Sequence, residues 1–116
     1  MKIPPVITNI AARPENYFFG EHYYDCFVAF LAGYDAACDN QLMAGFREWL
    51  ILTQNIDASE VSGLGWERLL LRIESPKISS NTSIWPRTPA EHVIAIRNAV
   101  KRIVDFCSSL PLSSEK

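Results

Sequence analysis

The sequence predicts an all-α protein, a compact bundle of about four helices preceded by an irregular N-terminal segment. Apolar residues recur at intervals of three and four over residues 24–31, 42–50, 66–73 and 93–107, which is the spacing of one helix face. Residues 88–91, Thr-Pro-Ala-Glu, have the composition of a helix start. The chain has 116 residues, of which 48% are hydrophobic, enough for one core, so we expect a single domain over residues 1–116.

The N-terminal segment, residues 1–20, is expected to be irregular. Pro4, Pro5 and Pro14 interrupt it and Gly20 ends it, and both residue types commonly interrupt or end helices and strands. A short edge strand is the alternative for this segment. Ile7 and Ile10 are among its apolar residues that could anchor it to the core.

The first predicted helix covers residues 21–38, where aromatic and aliphatic residues widen the apolar stripe almost all the way round. Asp39-Asn40 is expected to end it, because both residue types favour turns. A second, amphipathic helix is predicted over residues 41–52, with Leu42, Phe46, Trp49 and Leu50 on one face. Gly45 in its middle suggests close packing or simple tolerance, and a two-residue connection would make the two helices antiparallel neighbours.

The C-terminal half contains two further predicted helices separated by a long loop. Residues 66–73 match the helical spacing at every step. Residues 74–87 are rich in Ser and Pro and read as a loop that carries Trp85. Thr88 then acts as the N-cap of a helix that extends to about Cys107, with Arg97 on its outer face.

Residues for catalysis are sparse, and we expect neither an enzyme nor a bound metal or cofactor. His22 and Cys26 stand four apart on one helix, but no third group is available to orient them. His92 is expected at the surface. The two histidines and three cysteines have no metal-ligand spacing, and the chain lacks the glycine-rich motifs that cradle phosphate.

The three cysteines cannot all pair within one chain, which favours reduced thiols and a cytoplasmic location. The proline pair near the N-terminus argues against a signal peptide. The longest apolar stretch, residues 26–32, is far shorter than the roughly 20 residues that a membrane span requires. We therefore expect no membrane partner.

Charge is divided unevenly along the chain. Residues 1–75 hold 10 acidic and 5 basic side chains, whereas residues 76–116 hold 3 acidic and 6 basic ones. Three basic residues on the last helix are too few for nucleic-acid binding. Asp35 and Asp39, four apart at a helix end where negative charge is disfavoured, are either ordinary surface or a patch kept for a cationic partner.

One pattern links three of the predicted helices: an aromatic helix ending G-Y-x-x-A, a short break, a second helix with G-F-x-x-W-L, and a Trp-led helix after a loop. It covers about half of the chain and comprises Gly33, Tyr34, Ala37, Gly45, Phe46, Trp49, Leu50 and Trp66. In this pattern the sequence resembles small bacterial immunity proteins of contact-dependent growth inhibition and related polymorphic-toxin systems. The resemblance implies a cytoplasmic protein that binds the toxic C-terminal domain of a delivered effector, often a nuclease.

Binding faces differ within immunity families, so the contact residues must come from the chain's own chemistry. Acidic side chains suit a partner whose surface receives phosphate. The candidates for toxin binding are Asp35, Asp39, Glu48, Asp57, Glu60 and Glu67, with Trp85 as an apolar anchor. The alternative is a helical adaptor or homodimer without catalytic activity. For the immunity protein itself, the sequence leaves both a monomer and a homodimer open.

Overall fold

The chain is all-α, as predicted. The computed structural model describes residues 3–18, 23–74, 86 and 88–109, and within these ranges the regular elements are helices only. Their bounds are α1 Pro5–Ala12, α2 Tyr23–Ala37, α3 Phe46–Thr53, α4 Trp66–Glu74 and α5 Pro89–Ser109, with short 3₁₀ helices at Pro14–Asn16 and Ala58–Val61. Two compact units are distinguished: Met1–Phe27 with Arg87–Lys116 (unit 1), and Val28–Pro86 (unit 2). The expectation of a single domain stays a prediction.

The N-terminal segment is helical, so the expectation of irregular or strand backbone over its described residues was wrong. Pro4 is the N-cap and Pro5 the first helical residue of α1. Proline suits that position because its missing N–H would have no partner there and its φ is already helical. The amide of Ile7 donates to the Pro4 carbonyl at 3.0 Å. Ile7 and Ile10 are fully buried, which confirms them as anchors.

In unit 1, α1 packs against α5. The guanidinium of Arg97 donates from Nε to the Ala11 carbonyl at 2.9 Å and from Nη2 to the Ala12 carbonyl at 3.4 Å. These carbonyls lie in the last turn of α1, where they have no intrahelical donor. Arg97 is exposed, as expected for the outer face of this helix, and it also caps α1.

The helix start at Thr88 is confirmed. Thr88 Oγ1 accepts a hydrogen bond from the Glu91 amide at 3.1 Å, and Pro89 is the first helical residue. One face of α5 is buried along its length, comprising His92, Ala95, Ile96, Ala99, Val100, Ile103, Phe106 and Cys107. Burial raises the pKa of the Cys107 thiol, because it penalises the thiolate.

His92 is buried, at 1% exposure, and the expectation of a surface histidine was wrong. Its Nδ1 accepts a hydrogen bond from the backbone N–H of Tyr24 at 3.0 Å. Tyr24 lies in the first turn of α2 as described, and amides in the first turn of a helix commonly take acceptors from outside the helix. The imidazole of α5 thus caps α2, and because Nδ1 accepts, the neutral ring carries its proton on Nε2.

In unit 2, α3 begins at Phe46 rather than at residue 41. Gly45 is its N-cap, with φ of 83°, and a Cβ at this position would meet nothing within 4 Å. The left-handed backbone, and not close packing, is what requires glycine here. The connection from α2 to α3 is therefore residues 38–45, and the two-residue link expected at Asp39-Asn40 was wrong.

Aromatic rings pack together where α3 and α4 meet. The Phe46 ring stacks on Trp49 at 6.1 Å between centroids and meets the edge of Trp66 at 5.8 Å. Both geometries are favoured for aromatic pairs. Of the four residues predicted to share a face, Leu42, Phe46 and Leu50 are buried, although Leu42 precedes the helix, and Trp49 is half-buried.

Candidate functional site

The six acidic residues predicted to bind a partner all lie in unit 2. Trp85, the predicted apolar anchor, is outside the described residues. Unit 2 contains seven acidic and four basic side chains, a net charge of −3, whereas unit 1 has six acidic and seven basic ones, a net charge of +1. The uneven charge along the sequence is therefore also a difference between the two units.

Asp35 has a role inside the fold. Its Oδ1 accepts hydrogen bonds from the amides of Leu42 and Met43, each at 3.0 Å, and the residue is half-buried. These bonds tie the 38–45 connection to the last turn of α2. These two hydrogen bonds give the Asp35 carboxylate a structural role, and no binding partner is needed to explain its presence.

Asp39 lies beyond the end of α2, in the left-handed region with φ of 57°. Its amide donates to the Ala36 carbonyl, and the next amide, of Asn40, donates to the Asp35 carbonyl at 2.7 Å. This pair of bonds is the Schellman helix ending, which needs a left-handed residue at the position of Asp39. Asp39 is exposed, so its carboxylate still contributes charge to the surface.

Asp57 caps the short helix Ala58–Val61. Its Oδ1 accepts from the Ser59 hydroxyl at 2.8 Å and from the Ser59 amide at 3.0 Å. The hydroxyl bond, followed by the amide bond, lowers the pKa of Asp57 below its ordinary value of 3.8. The carboxylate is therefore ionised at neutral pH and held in one orientation.

We expect Ser59→Ala to raise the pKa of Asp57, since it removes the larger of the two stabilising hydrogen bonds. Because the folded-state pKa is lowered, the stability that this bond contributes is present above about pH 4 and is lost as the pH falls through the folded value. An NMR titration of the Asp57 carboxyl measures the change. Ser62→Ala is the matched control, and equal titration curves for both variants would contradict the assignment.

Glu48 and Leu52 lie one turn apart on the exposed side of α3, which we call the α3 face. Glu48 is in the first turn, where the helix dipole favours a negative charge. Leu52 is 79% exposed, the highest value among the large hydrophobic residues of the described chain. The sequence alone could have indicated this exposure, because Leu52 does not lie on the helix face that Phe46 and Leu50 share.

A groove of about 280 Å³ opens beside the end of α3. Glu60 and Arg72 contribute its charged groups. The remaining lining residues are Gln54, Ile56, Val61, Leu69 and Ile73. The amides of Asn55 and Ile56 donate to the carbonyls of Leu52 and Ile51, a second Schellman ending that folds the chain back from α3 into the groove wall.

Arg47 fixes the segment that follows the acidic 3₁₀ helix. Its Nε donates to the Leu64 carbonyl at 2.7 Å and its Nη2 to the Val61 carbonyl at 2.8 Å. Arg47 is the only basic residue among residues 41–67, which also contain Glu48, Asp57, Glu60 and Glu67. The guanidinium is thus engaged by backbone carbonyls, while Glu48 and Glu60 are exposed.

Glu67 lies in the first turn of α4 and folds back over the chain before it. A Cβ built on Gly65 would be 2.6 Å from both carboxylate oxygens of Glu67. This carboxylate is half-buried and less accessible than those of Glu48 and Glu60.

The described parts of the chain, 3–18, 23–74, 86 and 88–109, hold no group of three or more His, Cys, Asp or Glu side chains placed to bind a metal ion. Of the His22 and Cys26 pair, His22 is outside these ranges and Cys26 is half-buried. In the same ranges, no helix combines the length and apolarity that crossing a bilayer requires.

Comparison of the chain with protein-family models, with curated proteins and with solved structures gives no significant match. The resemblance to immunity proteins therefore rests on the sequence pattern itself.

Proposed function

We propose that this chain is an immunity protein that binds a cognate toxin domain in the bacterial cytoplasm and neutralises it without catalysis of its own. The toxin would be a nuclease, whose substrate surface is built to receive phosphate and is therefore cationic. The observation that carries the proposal is the charge of unit 2, which is −3 overall and includes exposed carboxylates at Asp39, Glu48 and Glu60. Opposite charges raise the association rate and disfavour wrong partners.

Internal hydrogen bonds refine the predicted set of contact residues. Asp35 accepts hydrogen bonds from two amides, so its carboxylate is already engaged within the fold. Reversing the charge of Asp35 would disturb the 38–45 connection whether or not a partner binds there. Glu48 and Glu60 are the better probes, since both are exposed and have α3 and the 3₁₀ helix as rigid supports.

Co-expression tests the proposal. The gene upstream of the one for this chain is read first; where it encodes a large secreted effector, the C-terminal domain of that effector is induced in a bacterial host with and without the chain, and surviving cells are counted. We expect the wild-type chain to restore growth, and the Glu48→Lys/Glu60→Lys variant to associate with the purified domain roughly tenfold more slowly at low salt. Asp105→Lys, an exposed change in unit 1, is the matched control.

Failure of the wild-type chain to protect the host would contradict the proposal. The alternative, a homodimeric adaptor, is favoured by the exposed apolar side chains of Leu52 and Ile94. Light scattering on the purified chain tests this alternative, because a strict monomer excludes the homodimeric adaptor.

A further inference from the structure

His92 joins the first turn of α5 to the first described turn of α2. It is 1% exposed, and its own amide donates to the Thr88 carbonyl at 3.0 Å. Its Nδ1 accepts a hydrogen bond at 3.0 Å from the amide of Tyr24, which is fully buried as well. Both residues belong to unit 1. A titratable side chain therefore makes a contact between two helices, away from solvent.

This contact requires the neutral form of the imidazole. Nδ1 accepts through its lone pair, and a proton on that nitrogen turns it from an acceptor into a donor. A proton can therefore bind Nδ1 of His92 only after the Tyr24 amide has left it. Histidine is also the side chain whose ordinary pKa, about 6.5, places this change close to physiological pH.

The surroundings of the ring oppose a positive charge. Burial deprives an imidazolium of water, and the ring lies at the starts of α2 and α5, where the helix dipoles are positive. The sequence of α1, which packs against α5, contains no titratable side chain. The neutral ring is thus the form that the closed structure accommodates.

The charged side chains around this contact are exposed. Glu91 precedes His92 on α5 and Asp25 follows Tyr24 on α2, and solvent screens the attraction that either carboxylate could exert on an imidazolium. Arg97 is exposed and donates to carbonyls of α1. Other titratable side chains over residues 13–27 of the described chain, none of them buried, are Arg13, Glu15, Tyr17, Tyr23 and Cys26. Those further along α5, more than two turns away, are Lys101, Arg102, Asp105 and Cys107.

We propose that His92 is an acid-sensitive latch that holds the start of α2, residues 23–27, against α5. At neutral pH the ring is neutral and Nδ1 accepts from the Tyr24 amide. In mildly acidic solution a proton from the solvent binds Nδ1, the Tyr24 amide loses this acceptor, and the first described turn of α2 separates from α5. The latch lies within unit 1 and does not depend on what the chain binds.

Unfolding of the full chain in urea, between about pH 8 and pH 5, tests the latch. The unfolded chain takes up the proton on His92 more readily than the closed structure, so the stability that the latch contributes is present above about pH 7 and is lost as the pH falls below about 6.5. Relative to His92→Asn, the unfolding equilibrium constant of the wild type is expected to rise about fivefold from pH 6.5 to pH 5.5. His22→Asn, at the other histidine of the chain, is the matched control and should keep the wild-type dependence.

Hydrogen exchange on the wild type locates the opening and needs no variant. The protection of the Tyr24 amide, corrected for the intrinsic exchange rate, is expected to fall about fivefold over the same pH range. The protection of Ile103, buried in the second half of α5, should fall less. Nitrogen NMR of the His92 ring, recorded in the same samples, follows its protonation.

Three results would overturn the latch. In the first, the wild type and His92→Asn keep a constant ratio of unfolding equilibrium constants across the pH range. In the second, the His92 ring becomes charged while the Tyr24 amide keeps its protection. In the third, Tyr24 and Ile103 lose protection equally, so that the proton is taken up by global unfolding and not by release of the start of α2.

Discussion

The free energy of unfolding of the His92→Ala variant is expected to be about 3 kcal/mol lower than that of the wild type, and its Tm roughly 10 °C lower. Two effects combine: truncation leaves a cavity on the buried face of α5, and the Tyr24 amide loses the Nδ1 acceptor that lies 3.0 Å away. The loss of a buried hydrogen bond and the loss of buried side-chain volume each lower the free energy of unfolding. Far-UV circular dichroism during thermal and urea unfolding measures the loss.

His92→Asn separates the two effects. The asparagine carbonyl oxygen can lie close to the position of Nδ1 and accept from the Tyr24 amide, while the side chain fills less of the cavity. We expect it to recover about half of the lost stability. If asparagine and alanine destabilise equally, the imidazole acts by filling space and the cap on α2 contributes little.

Replacing Arg47 with methionine is expected to cost about 2 kcal/mol, because two charge-assisted hydrogen bonds to the carbonyls of Val61 and Leu64 are lost while the aliphatic stem is kept. The loss should be local as well as global. Hydrogen exchange at residues 61–64 is therefore expected to accelerate more than exchange in α2.

Arg47→Lys is the matched variant for this prediction. Lysine keeps the charge but lacks the planar fork that reaches two carbonyls together, so we expect only part of the stability to return. A lysine variant as stable as wild type would show that charge alone, and not the geometry of the guanidinium, holds the segment. A methionine variant that loses less than about 0.5 kcal/mol would show that the two bonds contribute nothing net.

Helices with one continuous apolar stripe and a clear local start were predictable from the sequence. The bounds of α4 and the start of α5 follow from local signals, namely the spacing of leucines after Trp66 and the Thr-Pro pair before the last helix. The start of α3 was missed because residues 41–45 have helical spacing, but Gly45 takes a backbone conformation that apolar spacing does not reveal. The N-terminal helix was missed because Pro5 was taken as a breaker when it is the first helical residue.

The candidate site could be predicted only in part. Contacts between residues that are far apart in the sequence decide which side chains are already engaged within the fold. His92 lies on the stripe with Ile96, four residues later, and that spacing could have revealed its burial. Its bond to Tyr24 joins residues 68 apart in sequence, and no local pattern encodes it. Likewise, the sequence shows seven acidic residues in unit 2 but not that the carboxylate of Asp35 is already held by amides.

All three tryptophans of the chain, Trp49, Trp66 and Trp85, fall within Val28–Pro86, and none falls within the other unit. Intrinsic indole emission is therefore a reporter of one unit alone, whereas circular dichroism averages over helices in both. Melting curves recorded by the two optical signals will superimpose if the chain unfolds as one cooperative body and will separate if it does not. The confinement of the tryptophans to one unit thus provides a built-in spectroscopic label for the number of folding units.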